Sequence, residues 1–348
     1  MKKSIFLSVL ALAAVVSCQK SEIVDSKYGN DAIGFDTYLG RDAQTKAAIV
    51  EKKDLTTVKV YGYYTGNEDW ATGTTLNLWT SGLNLVLNNG TLQALAATDV
   101  RYWANESDKY TFLAYAPDAN IVAPTDNTNP VISYTVDTDF SKNADVLVAE
   151  PQINRTKNKL GTQENLNGTV ALQLKHKLAR LTVKATADNT PFTFHIKEIS
   201  LAGKFYKEGT LSLSDPTKWN STLVDETYVF AKTDTDANDS NGLPAETNYA
   251  TITGSTGYMM LIPVTAAEHQ AELTVTYTTY DPVAQLESRE YTQTYPITVD
   301  FAMGKAYAIQ LGFLNNATAI NFSVNVTPWA DGTQPEVIYP EGQPASGN

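Results

Sequence analysis

The only imidazole and thiol groups in the 348-residue sequence belong to three histidines and one cysteine. His176 lies between two lysines, where an imidazole suits a structural hydrogen bond better than general-base chemistry. His195 alternates with apolar neighbours as a strand residue does, and His269 lies in a polar stretch that predicts a loop. The sequence contains no G-x-S-x-G, H-E-x-x-H or G-x-x-x-x-G-K pattern, and no pair of carboxylates stands out as a glycosidase pair. We therefore expect a protein that is not an enzyme and that uses no metal or cofactor.

The single cysteine, Cys18, follows an N-terminal segment typical of a secretory signal. Lys2 and Lys3 precede an apolar run of about 12 residues, which is too short to span a bilayer. The stretch Val15-Val16-Ser17-Cys18 looks like a bacterial lipobox, in which the cysteine thiol is acylated after cleavage. This pattern predicts a signal peptide over residues 1–17 and a lipid on Cys18, with an ordinary signal peptide and a chance cysteine as the alternative.

A short strand followed by two basic residues comes next. Ile33, Phe35 and Leu39 lie on one face by alternation, which predicts a strand. The polar segment after that strand contains Arg41 and Lys46, and segments of this kind are where proteolysis is usually tolerated.

An acidic stretch at residues 234–242 has oxygen-bearing side chains at alternate positions, as calcium-binding loops do. It lacks the glycine spacing and the closing glutamate of those loops. Calcium binding and a solvated acidic loop both remain open for this stretch.

Composition favours a β protein with acidic surfaces. The formal net charge is −12, which argues against nucleic acid as a partner. One cysteine excludes a disulfide framework and zinc or iron–sulfur sites that need several thiolates. The sequence contains 44 Thr and 19 Tyr, residues that suit a pleated, half-buried surface.

Short alternating segments separated by turn residues run along most of the chain, and no long segment has helical periodicity. This pattern predicts an all-β protein with two β-sandwiches in tandem. A polar stretch at 151–168 separates a first domain, predicted at 47–163, from a second, predicted at 164–348. The predicted strands lie at 33–39, 58–63, 76–79, 83–87, 109–117, 131–136, 145–149, 170–174, 179–185, 192–201, 258–263, 273–280, 291–299, 307–311 and 320–326.

Several segments together resemble the Bacteroidetes fimbrillins, the subunits of type V pili, including their Mfa-like branch. The order of these segments, which spans nearly the whole chain, carries the resemblance. They are the lipobox Cys18, the Ile33-Gly34-Phe35 strand with a basic site before Ala47, Trp103 with the 110–117 strand, Asp145–Ala149, Leu172–Val183, Gly304–Tyr307, and Ile320–Val326 with Trp329.

The resemblance implies two transthyretin-like Greek-key sandwiches and a structural role in a surface pilus with a part in adhesion. It also implies an outer-membrane lipoprotein precursor, from which an Arg- or Lys-specific protease removes residues 18–46 with the strand Ile33–Leu39. The cut would follow Lys46, with Arg41 as the second choice. A neighbouring subunit would then fill the vacated groove by donor-strand exchange. The implied donor segment is C-terminal and contains Val337, Ile338 and Tyr339.

A second interpretation remains open, because the candidate donor has only three consecutive apolar residues between prolines. In this interpretation the chain is a non-polymerising surface lipoprotein or a pilus-tip adhesin that binds a glycan or a host protein. Trp70, Trp79 or Trp219 would then stack on a ligand, although packing in the sandwich core is the favoured interpretation for these side chains.

Overall fold

The computed structural model describes residues 32–39, 57–88, 91–116, 121–122, 129–157, 159–160, 163–164, 168–187, 192–232, 250–251, 258–287, 290–314, 320–328 and 336–338. Within these ranges the protein is all-β, as the sequence predicts, with one short α-helix. No helix among these residues is long and apolar enough to cross a membrane. The predicted signal peptide lies outside the described residues.

The first twelve strands are β1 Gly34–Leu39, β2 Thr57–Gly66, β3 Leu76–Asn77, β4 Leu83–Asn88, β5 Thr91–Ala94, β6 Lys109–Ala116, β7 Ile121–Val122, β8 Val131–Thr135, β9 Leu147–Ala149, β10 Gln152–Arg155, β11 Lys159–Leu160 and β12 Gln163–Glu164. The remaining elements are β13 Thr169–His176, β14 Ala179–Ala187, β15 Thr193–Ser212, β16 Asn220–Lys232, β17 Ala250–Thr251, β18 Met259–Leu261, α1 Ala266–His269, β19 Glu272–Asp281, β20 Leu286–Glu287, β21 Tyr291–Pro296, β22 Lys305–Phe313, β23 Ile320–Pro328 and β24 Glu336–Ile338.

The strands of the first sheet close into a ring. Its order is β12-β11-β10-β6-β9-β13-β1-β5-β4-β2-β3, and an additional pairing between β6 and β2 joins the two sides. The closed path therefore runs β2-β4-β5-β1-β13-β9-β6 and back to β2. Closure pairs each strand of the path on both sides, which removes the free edges of an open sheet.

Alternation along the ring strands separates two sets of buried side chains. On β2, Val58 and Val60 point into the ring, whereas Tyr61 and Tyr63 point outward. Both sets are buried, because the second half of the chain covers the outward face. This pattern of two buried faces also holds for β6 and β9.

The second half, together with β7 and β8 of the first, forms two further sheets. One has the order β17-β14-β22-β23-β24, with β18 also paired to β14; the other has the order β20-β19-β15-β8-β7, with β16 on β15 and β21 on β19. β14 and β22 run parallel in register from Arg180↔Ala306 to Ala187↔Phe313. The 20-residue strand β15 organises the other sheet, since it pairs with β19, β16 and β8 along its length.

Strand pairing crosses the predicted domain limit at residues 163 and 164 in both directions. β13 follows that limit and pairs with β1 and β9, whereas β8 precedes it and pairs with β15. Between β13 and β14 the chain passes through Lys177, whose N–H donates to the Val146 carbonyl at 2.8 Å and whose carbonyl accepts from Trp219 Nε1 at 2.8 Å. The two halves therefore share hydrogen bonds and one continuous apolar cluster.

Gly62 provides a test of packing inside the ring. A Cβ at this position would lie 2.4 Å from Trp79 Cζ3 and 2.8 Å from Leu78 Cδ1. We expect Gly62→Ala to lower the free energy of unfolding by about 1–3 kcal/mol, because the added methyl overpacks a filled core. Urea unfolding followed by tryptophan fluorescence measures the change.

The matched control is Asn84→Ala, which removes an exposed side chain from the adjacent strand β4. An unfolding midpoint for Gly62→Ala equal to that of Asn84→Ala would contradict the packing around Trp79.

Candidate functional site

The candidate site is the position of β1 within the closed ring. Residues Gly34 to Leu39 pair in parallel, in register, with Thr169 to Leu174 of β13. On its other side β1 meets β5 in the antiparallel sense, with Phe35 opposite Leu92. The predicted early strand is therefore an inner strand of the sheet, held between neighbours that come from distant parts of the chain.

Side chains of this strand segment fill the interior of the ring. Ile33 and Phe35 retain only 7% and 6% of their accessible surface. The Phe35 ring lies edge-on to Phe112, with centroids 5.5 Å apart, and 6.3 Å from the Trp79 ring. Burial of one such side chain is worth roughly 1.5–3 kcal/mol, and edge-to-face aromatic contacts add to that.

The N-terminal end of the strand is fastened by the loop that precedes β6. The Ile33 N–H donates to the Arg101 carbonyl at 2.8 Å, and Ala32 forms a bridge with Tyr102. The guanidinium of Arg101 donates to the Leu78 carbonyl at 3.0 Å and lies 5.9 Å from the centroid of the Trp79 ring. The same loop thus binds the start of the inserted strand and the wall of its pocket.

Gly168 and Trp103 hold the start of β13, the parallel neighbour. Trp103 is buried, and its Nε1 donates to the Gly168 carbonyl at 3.0 Å. Gly168 has φ +71°, and a Cβ there would lie 2.9 Å from Trp103 Nε1, so glycine fits both the backbone and the contact. Sequence reasoning did not assign Gly168 or Arg101 to the site; the glycine before an alternating strand is the only local signal.

Several predicted site residues lie outside the described residues. They are the lipidation candidate Cys18, the cleavage candidates Arg41 and Lys46, the donor residue Tyr339, and the acidic stretch at 234–242. The described part of β1 ends at Leu39, two residues before Arg41 in the sequence.

The other two candidate donor residues are in strand β24. Val337 lies opposite Asn325, and Ile338 lies opposite Val324, in an antiparallel pair with β23. Among the described residues β24 is the end strand of its sheet, so its backbone pairs on one side. β24 thus belongs to a sheet of the second half, whereas β1 belongs to the ring.

Two histidines have the structural roles that their sequence context predicts. His176 Nδ1 lies 2.5 Å from Asp145 Oδ2, which joins β13 to the segment before β9. His195 is a strand residue of β15, and its Nδ1 lies 2.9 Å from Glu287 Oε1. Burial raises the pKa of Glu287, but hydrogen bonds from Thr278 and His195 outweigh that effect, so the pKa lies below its ordinary value.

The loop prediction for His269 is wrong, because this residue ends the short helix α1 and is fully buried. Its Nε2 lies 2.9 Å from the Val299 carbonyl, and its Nδ1 accepts from the Ala271 N–H at 2.9 Å. These contacts require the neutral tautomer with hydrogen on Nε2. Burial lowers the pKa of the imidazole, although the Val299 carbonyl, Asp300 and Glu268 partly oppose this shift.

The tryptophans considered for ligand stacking are mainly core residues. Trp79 and Trp219 are buried, which confirms the core-packing interpretation for both. Trp70 is half-buried, and its ring lies 4.9 Å from that of Tyr63. Across the residues that the structure describes, no group of three His, Cys, Asp or Glu side chains is arranged to hold a metal ion.

The fold and the site define an all-β protein with an N-terminal strand inserted into a closed sheet. The family model for fimbrillin-like proteins matches residues 45–329 of the chain. The chain therefore belongs to the fimbrillin-like family. This membership supports a fimbrial structural or adhesion role at the cell surface.

Solved structures resemble this fold. A fimbrial protein from Bacteroides vulgatus is 18% identical, with a TM-score of 0.65, and the match covers 86% of this chain and 100% of that one. A candidate cell adhesion protein from Bacteroides ovatus is 17% identical, with a TM-score of 0.53 and coverage of 87% and 99%. At these identities the likeness shows the fold alone. Among curated proteins no relative is similar enough in sequence to match.

Truncation of Phe35 tests how firmly β1 is held. We expect Phe35→Ala to destabilise the uncut chain by about 3–5 kcal/mol, because the change empties a pocket between Phe112 and Trp79. Urea unfolding measures the loss, and amide hydrogen exchange of residues 32–39 reports whether β1 loosens first.

The control is Gln93→Ala, which truncates an exposed side chain on the neighbouring strand β5. Equal stability and equal exchange in the two variants would contradict the described position of Phe35.

His269 predicts a pH dependence of stability. Its pKa in the folded chain lies below the ordinary value near 6.5, so below that pH the unfolded chain binds a proton that the folded chain does not. Stability should therefore fall as pH drops from about 7 towards the lower folded-state pKa. His269→Gln should flatten this fall and cost about 1–3 kcal/mol at pH 7, since buried polar groups lose partners.

Thermal unfolding between pH 7 and 5.5 provides the measurement, with His195→Gln as the comparison. If His195→Gln flattens the fall in stability with falling pH and His269→Gln does not, the pH dependence does not come from His269 and the prediction is wrong.

Proposed function

We propose that the chain is the structural subunit of a cell-surface type V fimbria, assembled by proteolytic removal of β1 and by donor-strand exchange, with a part in adhesion. In this proposal the precursor is an outer-membrane lipoprotein anchored through lipid on Cys18. An Arg- or Lys-specific protease then cuts after Lys46 or Arg41. The two halves of the chain correspond to two transthyretin-like sandwiches.

One observation carries this proposal: β1 is an inner strand that stands at the N-terminal end of the described chain. Arg41 and Lys46 follow Leu39 by two and seven residues in the sequence. A cut at either residue separates β1 covalently from the remainder of its sheet. Among the described strands of the ring, β1 alone lies on the N-terminal side of these two sites.

Loss of β1 would change the sheet in two ways. β13 would lose its parallel ladder over Thr169–Leu174, and β5 would lose its contact at Leu92. The pockets of Ile33 and Phe35 would open beside these unpaired backbones. Unpaired N–H and C=O groups next to an apolar row form a template for an added strand. Repetition of that contact from one subunit to the next would produce a filament.

A second candidate function follows from the donor segment. Only Val337, Ile338 and Tyr339 are apolar between Pro335 and Pro340. Part of this segment also pairs with β23 of its own chain. A short donor that is engaged in its own sheet favours a non-polymerising surface lipoprotein or a tip adhesin that binds a host protein or a glycan.

Protease treatment of the purified full-length chain distinguishes the two functions. A Lys-specific and an Arg-specific protease are applied separately, and the products are sequenced at their N-termini and run on gels in mild SDS. We expect a new N-terminus at Ala47 with the Lys-specific enzyme, followed by a ladder of SDS-resistant polymers. Lys46→Gln should abolish that cut, and Arg41→Gln is the matched control.

Clean cutting at Ala47 and loss of the 1–46 fragment without polymers would contradict the shaft subunit and support the non-polymerising alternative. A chain that is cut only at many internal sites would contradict the removable strand itself.

A further inference from the structure

We infer that the space occupied by β1 selects an incoming strand by a three-residue pattern, an aliphatic residue, a small residue and an aromatic residue. The positions of Ile33, Gly34 and Phe35 set this pattern. The inference rests on the proposed function, because it applies to the groove that removal of β1 would open. The partner it identifies is an extended segment of another polypeptide that carries this pattern.

The two outer positions of the pattern follow from burial. Ile33 and Phe35 point to the same side of β1 and are both members of the ring's apolar cluster. The Phe35 position is lined by the aromatic rings of Phe112 and Trp79. A smaller side chain there would leave a cavity against two rings, so an aromatic residue fits this position best.

The middle position faces the opposite side, where room is limited. A Cβ at Gly34 would lie 3.2 Å from Thr169 Oγ1 and 3.8 Å from Thr169 Cα. Glycine fits without adjustment, and alanine requires Thr169 to shift by a few tenths of an ångström. A β-branched residue adds a second and third carbon at this contact, so it fits least well.

The backbone adds a further requirement. The N–H of Ile33 donates to the Arg101 carbonyl at 2.8 Å, so a proline at this position would leave that carbonyl without its donor. The parallel register with β13 also sets the direction of the incoming strand.

The chain's own C-terminal segment departs from the pattern. Only one register in the direction of β1 puts non-proline apolar residues in both pockets, with Val337 at the Ile33 position and Tyr339 at the Phe35 position. That register puts the β-branched Ile338 at the Gly34 position. The groove should therefore bind this segment less tightly than a segment with Gly, Ala or Ser in the middle.

Strand uptake by the full-length chain, cut with the Lys-specific protease, tests the inference. The probe is a fluorescein-labelled synthetic peptide of residues 31–40, and its binding is followed by anisotropy. Competing peptides are that sequence with Gly34→Val or Phe35→Ala, and the 334–343 sequence in its parent form, with Ile338→Ala, and with Glu336→Ala as the matched control.

We expect Phe35→Ala to weaken competition by more than about 100-fold and Gly34→Val by about tenfold. Ile338→Ala should strengthen competition by the 334–343 peptide by about fivefold, whereas Glu336→Ala should leave it within about twofold. Uptake of the probe with no ranking among the competitors would overturn the selection rule and leave the open groove intact. Failure of the cut chain to take up the parent probe at all would instead contradict the groove and the proposed function.

Discussion

The closed path of hydrogen-bonded strands is the constraint on which the first half of the molecule depends. β13 and β5 have paired backbones on both sides only while β1 lies between them. An unpaired backbone group next to an apolar pocket is costly, so a short N-terminal segment completes a sheet made mostly of residues far downstream. Its side chains complete the aromatic cluster inside the ring at the same time. Backbone pairing and side-chain packing thus depend on the same six-residue strand.

The outward face of the ring couples this site to the second half. Tyr61, Tyr63, Leu113 and Tyr115 belong to one apolar cluster with side chains of β14, β15 and β22. The chain crosses between the halves at Lys177, where backbone and indole hydrogen bonds hold it. The ring is therefore supported from outside by a core that contains neither Ile33 nor Phe35. Because the second half packs on the ring from outside, the order of the fold does not depend on β1 alone.

Alternation in the sequence predicted most of the strands, including β1, since one buried and one exposed face leave a clear period of two. It could not predict that β1 pairs in parallel with β13, because this pairing joins segments about 135 residues apart and depends on closure of the whole ring. β16 was missed because bulges in its pairing with β15 interrupt the alternation, and Val224 and Val229 are exposed. A four-residue helix is too short to show helical periodicity, which is why His269 was expected in a loop. For the site, alternation identified the apolar residues Ile33 and Phe35. It did not identify Arg101 and Gly168, because these residues act through backbone contacts that leave little trace in the sequence.

The apolar core that the two halves share also affects how the subunit should respond to mechanical load. A subunit with separate domains on a flexible linker bends internally, whereas here a bend between the halves would have to break the apolar contacts around Tyr63 and Tyr115 and the pairing of β8 with β15. Under load each copy should therefore behave as one stiff unit. Any fibre built from such copies would owe its flexibility, and its points of mechanical failure, to the joints between neighbouring copies.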